Sequence, residues 1–491
     1  MRCIGRRSLT LALLLLLHLM SSAKATDLAP LRALVNEGST VSALVLRLRD
    51  GAVLASLNPE QPLIPASVSK LLVAATVLDA WGAAHTFTTR MLSSAPRNGT
   101  LLNGDLLIEG AGDPMLVNEK LWFLCTDIAR QGIREIAGDL VLHNGRFAAI
   151  TEHGDRATAA EASTHAYDGA LSAVAVNYSV LAAVISPGET PGAPAQAGLE
   201  PYPLDTVSVI NQITTGPNAS APTLSVLRER TATGDRLTVS GSIARDSPPL
   251  RVYRSVSDPD IYAGAVFKAF LQQAGVRLRG QIRISRAPLP PEARPLARVD
   301  SYPLAWQVRQ MLHASNNFIA DMLTIQLDPA IATGRNATLA GGAQRLATYL
   351  AATGAASNSV VVSGSGLDPA NRLAAQDVVR LLAHVQRQSA QFPDLLAALP
   401  VAGREGPLRE RFTAPAAMPL QGRLRAKSGT LSAPVHAVGL AGYSPLPDGD
   451  WAAFAILVNG TDRQPAPGLA RARHAIDAAL TEVLAAPARP R

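Results

Sequence analysis

The sequence predicts an α/β fold in which one domain is assembled from both ends of the chain and a mainly β region is inserted between them. Two observations carry this. Residues 41–48 and 52–57 near the start, and 435–443 and 451–459 near the end, are β-rich runs joined by turn residues, so both termini supply strands to one sheet. Residues from about 90 to 290 differ from both flanks, breaking into many short strands and turns.

Residues 1–25 read as a secretory signal peptide. Arg2, Arg6 and Arg7 form its positive end, residues 9–19 a short apolar run, and Ala23-Lys24-Ala25 a small-x-small cleavage site. An uncleaved anchor is the alternative, but the run is short for a bilayer, and no later stretch approaches transmembrane length. The mature chain is expected in the periplasm, with at most peripheral membrane association.

Asp50-Gly51 marks the first strand pair as a hairpin. Pro65-Ala66 then precedes a long apolar helix over residues 67–81. The middle strands are expected at 101–109, 136–143, 206–213, 236–243 and 276–284, with a Gly/Pro-rich loop over 187–203. A Pro-rich stretch over 288–303 leads into a helical segment before Ser315, and residues 470–485 read as a closing helix packed on the sheet. The expected division is a catalytic domain over 26–90 and 291–491, and one or two mainly β domains over 91–290.

The formal charge is +7, but residues 1–25 carry four basic side chains (Arg2, Arg6, Arg7, Lys24) and no acidic one, which leaves about +3. With no dense basic run and 4% aromatic residues, nucleic acid is not an expected partner. Cys3 departs with the leader. Cys125 is then alone, precludes an internal disulfide, and reads as a small buried hydrophobe.

Lysine is scarce. Apart from Lys24, only Lys70, Lys120, Lys268 and Lys427 stand against a large excess of arginine. Arginine stays protonated, whereas lysine can give up its proton when desolvated. Two of these lysines lie in patterns with serine: Ser67-Val68-Ser69-Lys70 and Lys427-Ser428-Gly429-Thr430, with Ser315-Asn316-Asn317 between them.

At i and i+3, Ser67 and Lys70 share a helix face, and an amine desolvated by apolar flanks can take the hydroxyl proton. Taken alone, Ser67 reads first as an N-cap after Pro65. Ser315 offers a hydroxyl that can relay a proton, and Asn317 an amide that can hold a peptide carbonyl; the same residues also suit a cap or turn. The last motif reads as an edge strand. In it Gly429 admits a ligand to the backbone, Lys427 supplies a fixed positive charge, and Ser428 and Thr430 supply hydroxyls for a carboxylate. The Thr430 and Ser67 N–H groups could form an oxyanion hole. An exposed strand end is the plainer alternative for that segment.

The order Ser-x-x-Lys, Ser-x-Asn, Lys-Ser/Thr-Gly is the signature of penicillin-recognising serine enzymes. The chain resembles one branch closely: the D-alanyl-D-alanine carboxypeptidase/endopeptidases of the penicillin-binding protein 4 type, the low-molecular-mass class C proteins. Pro62-Leu63-Ile64-Pro65-Ala66-Ser67 is similar to that family's lead-in to its nucleophile. Gly110-Ala111-Gly112-Asp113-Pro114 and Ser363-Gly364-Ser365-Gly366-Leu367 are similar to two of its glycine-rich segments. So is the stretch from Arg425 to Leu431, followed by Gly442-Tyr443 and Ala455-Ile456-Leu457-Val458-Asn459-Gly460. The likeness runs from about residue 40 to 465, and the 245 residues from Lys70 to Ser315 suit the branch that carries extra domains in that gap. Ser428 stands where many relatives have Thr, Ser363 where the family often has Asp, and the match around Asp168-Gly169-Ala170 and Asn177 is loose.

The resemblance implies a discontinuous penicillin-binding/β-lactamase-like domain, an antiparallel sheet with helices, carrying two inserted mainly β domains. It implies Ser67 as nucleophile, Lys70 as its base, and Ser315, Asn317 and Lys427 as further catalytic residues. Ser428, Gly429 and Thr430 would bind substrate. Peptidoglycan stem peptides are then the substrates and β-lactam antibiotics covalent inhibitors, with no metal or cofactor. Three rivals are weaker on sequence. A β-lactamase would need a deacylating glutamate, and none occurs between Asn317 and Arg404. A Ser-His-Asp hydrolase lacks a Gly-x-Ser-x-Gly elbow, and His313, beside Ser315, reads as structural. A wall-binding protein on a decayed fold would have lost Ser67, Lys70 or Lys427.

Overall fold

The computed structural model describes residues 26–149, 164–355, 358–461 and 468–485; the expected leader lies outside them. The chain opens with helix α1 (Ala29–Asn36), the hairpin β1 (Thr40–Arg47) and β2 (Val53–Leu57), a 3-10 turn (Ala66–Ser69) and helix α2 (Lys70–Trp81). The inserted region follows: β3 (Thr88–Ser93), β4 (Arg97–Asn98), β5 (Leu101–Leu102), β6 (Leu106–Glu109), α3 (Asn118–Arg130), β7 (Glu135–Ile136), β8 (Leu140–His143) and β9 (Val180–Ser186). It continues through β10 (Gln196–Glu200), β11 (Val207–Gly216), β12 (Ser225–Thr231), β13 (Gly234–Ala244), β14 (Leu250–Ser255), α4 (Pro259–Gln273), β15 (Arg277–Leu278), β16 (Ile282–Ser285) and β17 (Arg294–Asp300). The chain then returns through helices α5 (Leu304–His313), α6 (Asn317–Gln326), α7 (Leu339–Ala352), α8 (Ala375–Gln386) and α9 (Phe392–Ala398). It closes with β18 (Arg425–Leu431), β19 (Ala437–Pro445), β20 (Trp451–Asn459) and α10 (Leu469–Leu484).

The two ends meet in one five-stranded sheet of order β18-β19-β20-β1-β2, antiparallel throughout. Its alternation is visible in the packing. Val41, Ala43, Val45, Phe454 and Ile456 face a core shared with Leu31 and Leu34 of α1 and Ile476 and Leu480 of α10. Leu44, Ala453, Ala455 and Leu457 face the other side, against α2, α5, α6 and α8. Helix α2 is enclosed: every residue from Lys70 to Leu78 is buried. A helix apolar on all sides belongs in the interior, which puts Lys70 there with it.

The inserted region holds a five-stranded sheet, β16-β8-β6-β3-β17, with smaller sheets beside it. Two helices that the strand-and-turn reading did not foresee, α3 and α4, pack together in its core through Leu121, Leu124, Ile128, Tyr262, Val266 and Phe270. Cys125 is buried there. The Pro-rich stretch before α5 contains β17, an outer strand that tolerates Pro295 because a register shift interrupts the pairing beside it. The inserted region touches the two-ended body at Gln326, whose Nε2 donates to the Ala111 and Gly112 carbonyls at 2.6 and 3.0 Å. Among the described residues, no helix is long and apolar enough to cross a membrane.

Candidate active site

The loop into Ser67 is fixed from two sides. Leu63 bridges to Leu373. Ile64 is clasped by the Asn459 side chain: its N–H donates to Oδ1 at 2.8 Å and its carbonyl accepts from Nδ2 at 3.1 Å. Asn459 ends β20, so the central sheet sets the position of the loop. The backbone then turns at Ala66, whose φ of +46° is left-handed, at a cost of roughly 1–2 kcal/mol for an L-residue. Gly366, itself at φ +77°, passes so close that a Cβ there would lie 1.9 Å from the Ala66 carbonyl oxygen.

Ser67 is half-buried, and Lys70, one turn on, is fully buried. Lys70 Nζ lies 2.8 Å from Ser67 Oγ, 2.7 Å from Asn317 Oδ1 and 2.6 Å from the Ser365 carbonyl oxygen. The Ser365 N–H donates in turn to Asp321 Oδ1 at 2.8 Å. Asp321 lies one turn after Asn317 on α6, and i, i+4 residues share a face.

Helices α5 and α6 are joined by Ala314, Ser315 and Asn316. Ser315 sits at φ +52°, and the Asn316 N–H donates back to the Met311 carbonyl at 3.0 Å, the long bond of a Schellman-type helix end. Asn316 Oδ1 accepts from the Ile319 N–H at 2.9 Å and caps α6. This tight corner lets two residues on one short connection serve two lysines: Asn317 meets Lys70, and Ser315 Oγ lies 2.9 Å from Lys427 Nζ. His313 ends α5, with Nε2 3.7 Å from the Glu405 carboxylate, and does not enter the Ser–Lys contacts.

Strand β18 lies at the edge of the central sheet, alongside the Ser67 turn. Gly429 makes this approach possible, because a Cβ there would lie 2.7 Å from the Pro65 carbonyl oxygen and 3.1 Å from the Ser67 nitrogen. Lys427 is fully buried, with its Nζ also 2.6 Å from the Ser428 carbonyl oxygen. Burial pulls its pKa down to about 7. Its charge is therefore not fixed near neutral pH, which differs from the permanent cation expected of a strand lysine. Ser428 is half-buried. Thr430 is exposed, and its Oγ1 accepts from Arg473 Nη2 at 3.3 Å.

The structure thus brings Ser67, Lys70 and Asn317 into one set of contacts and Ser315 and Lys427 into a second, the two linked through Asn316 and through strand β18, which carries Ser428, Gly429 and Thr430 past the Ser67 turn. Sequence reasoning missed the Ser365 carbonyl and Asp321. A backbone acceptor leaves no residue-type signal, but the Asn317–Asp321 spacing on one helix face was readable. It also missed the inserted region's approach to the site, where Asn317 Nδ2 donates to the Tyr167 carbonyl at 3.4 Å. Among the described residues, no group of three His, Cys, Asp or Glu side chains could hold a metal ion.

An antiparallel sheet flanked by helices, a Ser–Lys pair at the start of a buried helix and a second Ser–Lys pair against the edge strand define a serine hydrolase of the penicillin-binding class. The chain belongs to the D-Ala-D-Ala carboxypeptidase 3 (S13) family, which matches residues 29–483. It is 32% identical to a D-alanyl-D-alanine carboxypeptidase of Actinomadura sp. over 444 residues, 86% of this chain and 78% of that one. It is 26% identical to D-alanyl-D-alanine carboxypeptidase DacB of Haemophilus influenzae over 438 residues, 86% of each chain. The crystal structure of penicillin binding protein 4 from Haemophilus influenzae shares the fold, with a TM-score of 0.74 at 24% identity over 90% of this chain and 94% of that one. A second structure of that protein, in complex with a β-lactam, matches with a TM-score of 0.73 at 23% identity, over 94% of this chain and 99% of that one. The protein is a serine-type D-alanyl-D-alanine carboxypeptidase of the penicillin-binding group.

Proposed function

We propose that the protein removes the terminal D-alanine from peptidoglycan stem peptides in the periplasm, through an ester on Ser67. The observation that carries this reading is the position of Lys70 Nζ, 2.8 Å from Ser67 Oγ and held by Asn317 and Ser365. Lys70, in its uncharged form, takes the hydroxyl proton as Ser67 Oγ attacks the carbonyl of the penultimate D-alanine. The Ser67 and Thr430 N–H groups receive the oxyanion. Ser315, beside Lys427, passes a proton to the departing amine, and the C–N bond breaks. Asn317 positions the peptide; Lys427, Ser428 and Thr430 hold its terminal carboxylate. Water then releases the acyl group. Where the departing amine belongs to a cross-link, the same steps constitute an endopeptidase. β-Lactams enter by the same attack and remain as covalent inhibitors. The same reading divides the mature chain into a catalytic domain and an inserted region, whose bounds move from the expected 91–290 to residues 88–300 because β3 and β17 pair within the inserted sheet.

The carboxylate role is tested through the pKa of Lys427. With that pKa at about 7, the ammonium is present below this pH and lost as the pH rises through it. The ratio of kcat/KM for a D-Ala-D-Ala peptide to that for its C-terminal amide reports the free enzyme and cancels the shared chemistry. It should fall roughly tenfold from about pH 6 to about pH 9, as a charged partner is replaced by a neutral one. A ratio constant across that range removes Lys427 from carboxylate recognition.

A further inference from the structure

Helices α2 and α6 both start at the Ser–Lys cleft and run away from it. At about 1.5 Å per residue, they end roughly 14–17 Å away, at Trp81 and Gln326, on a second cleft of about 840 Å³ between the two-ended body and the inserted region. Its lining is rich in arginine: Arg90, Arg146, Arg298 and Arg345. The carboxylates that line it are already engaged. Glu109 pairs with Arg90, and Asp328 accepts from the Ala330 and Thr338 N–H groups at 2.9 and 2.8 Å.

Three features mark this charge as maintained for a ligand. Arg90 and Arg298 stand directly opposite one another on β3 and β17; Glu109 offsets the like-charge repulsion by pairing with Arg90, and Arg298 has no such partner among the described residues. Arg146 is half-buried, with its Nε donating to Gln326 Oε1 at 3.0 Å; burial lowers its pKa, an effect Glu109 opposes. Among the described residues, Arg146, Arg298 and Arg345 form no ion pair within 4.0 Å. Arg146, partly desolvated and with the nearby Glu109 carboxylate already paired to Arg90, gains from an incoming anion, and the planar fork of each free guanidinium fits a carboxylate.

We propose that this cleft binds the carboxylates of a second stem peptide of the wall polymer, one not undergoing cleavage; this rests on the peptidoglycan reading above. The straight path between the two clefts runs through buried helices, so a peptide in the catalytic groove must go around them. An extended pentapeptide spans at most about 18 Å and cannot make that detour, so the occupant is another stem. The cleft is concave and lies between two layers, a shape that excludes a flat membrane. Occupying both clefts raises the effective concentration of polymer at Ser67 and gives a short soluble peptide no advantage.

The test uses enzyme acylated with benzylpenicillin, so that the catalytic groove is closed, and measures co-sedimentation with purified peptidoglycan sacculi. Acylated wild type should sediment, and salt at about 0.5 M should release it. The Arg298→Gln/Arg345→Gln double variant should bind about tenfold less or weaker still, and so should Arg298→Glu at its exposed position. Both variants should be acylated normally and hydrolyse a short D-Ala-D-Ala peptide at the wild-type rate. Wild-type sedimentation of both variants overturns the proposal. So does loss of all binding on acylation, or binding to phosphatidylglycerol vesicles in place of sacculi. Failure of wild type to be acylated would instead refute the catalytic reading.

Discussion

Ser315 occupies the residue position just past a helix end where glycine is usual, and its φ of +52° strains an L-residue by roughly 1–2 kcal/mol. Its hydroxyl, 2.9 Å from Lys427 Nζ, gives a reason for serine to be kept there. Ser315→Gly should therefore raise the thermal midpoint, with a gain of about 1 kcal/mol, while it lowers kcat on a D-Ala-D-Ala peptide by about 100-fold or more. Calorimetry and steady-state kinetics on one preparation check both halves. A variant that is less stable, or as active as wild type, removes the trade-off. The Ser-Asn-Asn triplet was legible as a motif, but its left-handed turn was not, because serine carries no signal for positive φ.

At the scale of elements, the sheet was legible and its surroundings less so. Continuous β-rich apolar runs placed β1, β20 and the hairpin to within a residue or two, because both faces of the central strands are buried. The run expected over 101–109 is two strands, β5 and β6, in different sheets, separated at Asn103, Gly104 and Asp105. Tertiary pairing decides such breaks, and local composition does not record it. Helix α4 was missed because Tyr262, Ala263, Val266 and Phe267 are all buried and blur its amphipathic period. The relation between strand β18 and the Ser67 turn depends on Gly429. Gly429→Ala would force a Cβ to within 2.7 Å of the Pro65 carbonyl oxygen, so strand and turn must separate by a few tenths of an ångström. Misplacement on that scale should cost about 10- to 100-fold in the rate of penicillin acylation, read by stopped-flow quenching or gel labelling. Unchanged acylation would show that the strand does not set the position of the nucleophile.

For the molecule as a whole, three motifs spread over more than 350 residues, from Ser67 to Thr430, converge because the first and last strands share a sheet while α5 and α6 carry the middle motif to it. The inserted region leaves the body after α2 and rejoins it at α5, with β3 and β17 hydrogen-bonded where the chain departs and returns. It also contributes the Tyr167 carbonyl to Asn317, so it borders the site it interrupts. The central claim is that Ser67, primed by Lys70, is the atom that becomes acylated. Intact-mass analysis after incubation with benzylpenicillin, followed by peptide mapping, tests it directly. Wild type should gain one penicilloyl mass on the peptide carrying Ser67, and Ser67→Ala should gain none. An adduct that maps elsewhere, or that persists in Ser67→Ala, would contradict the account.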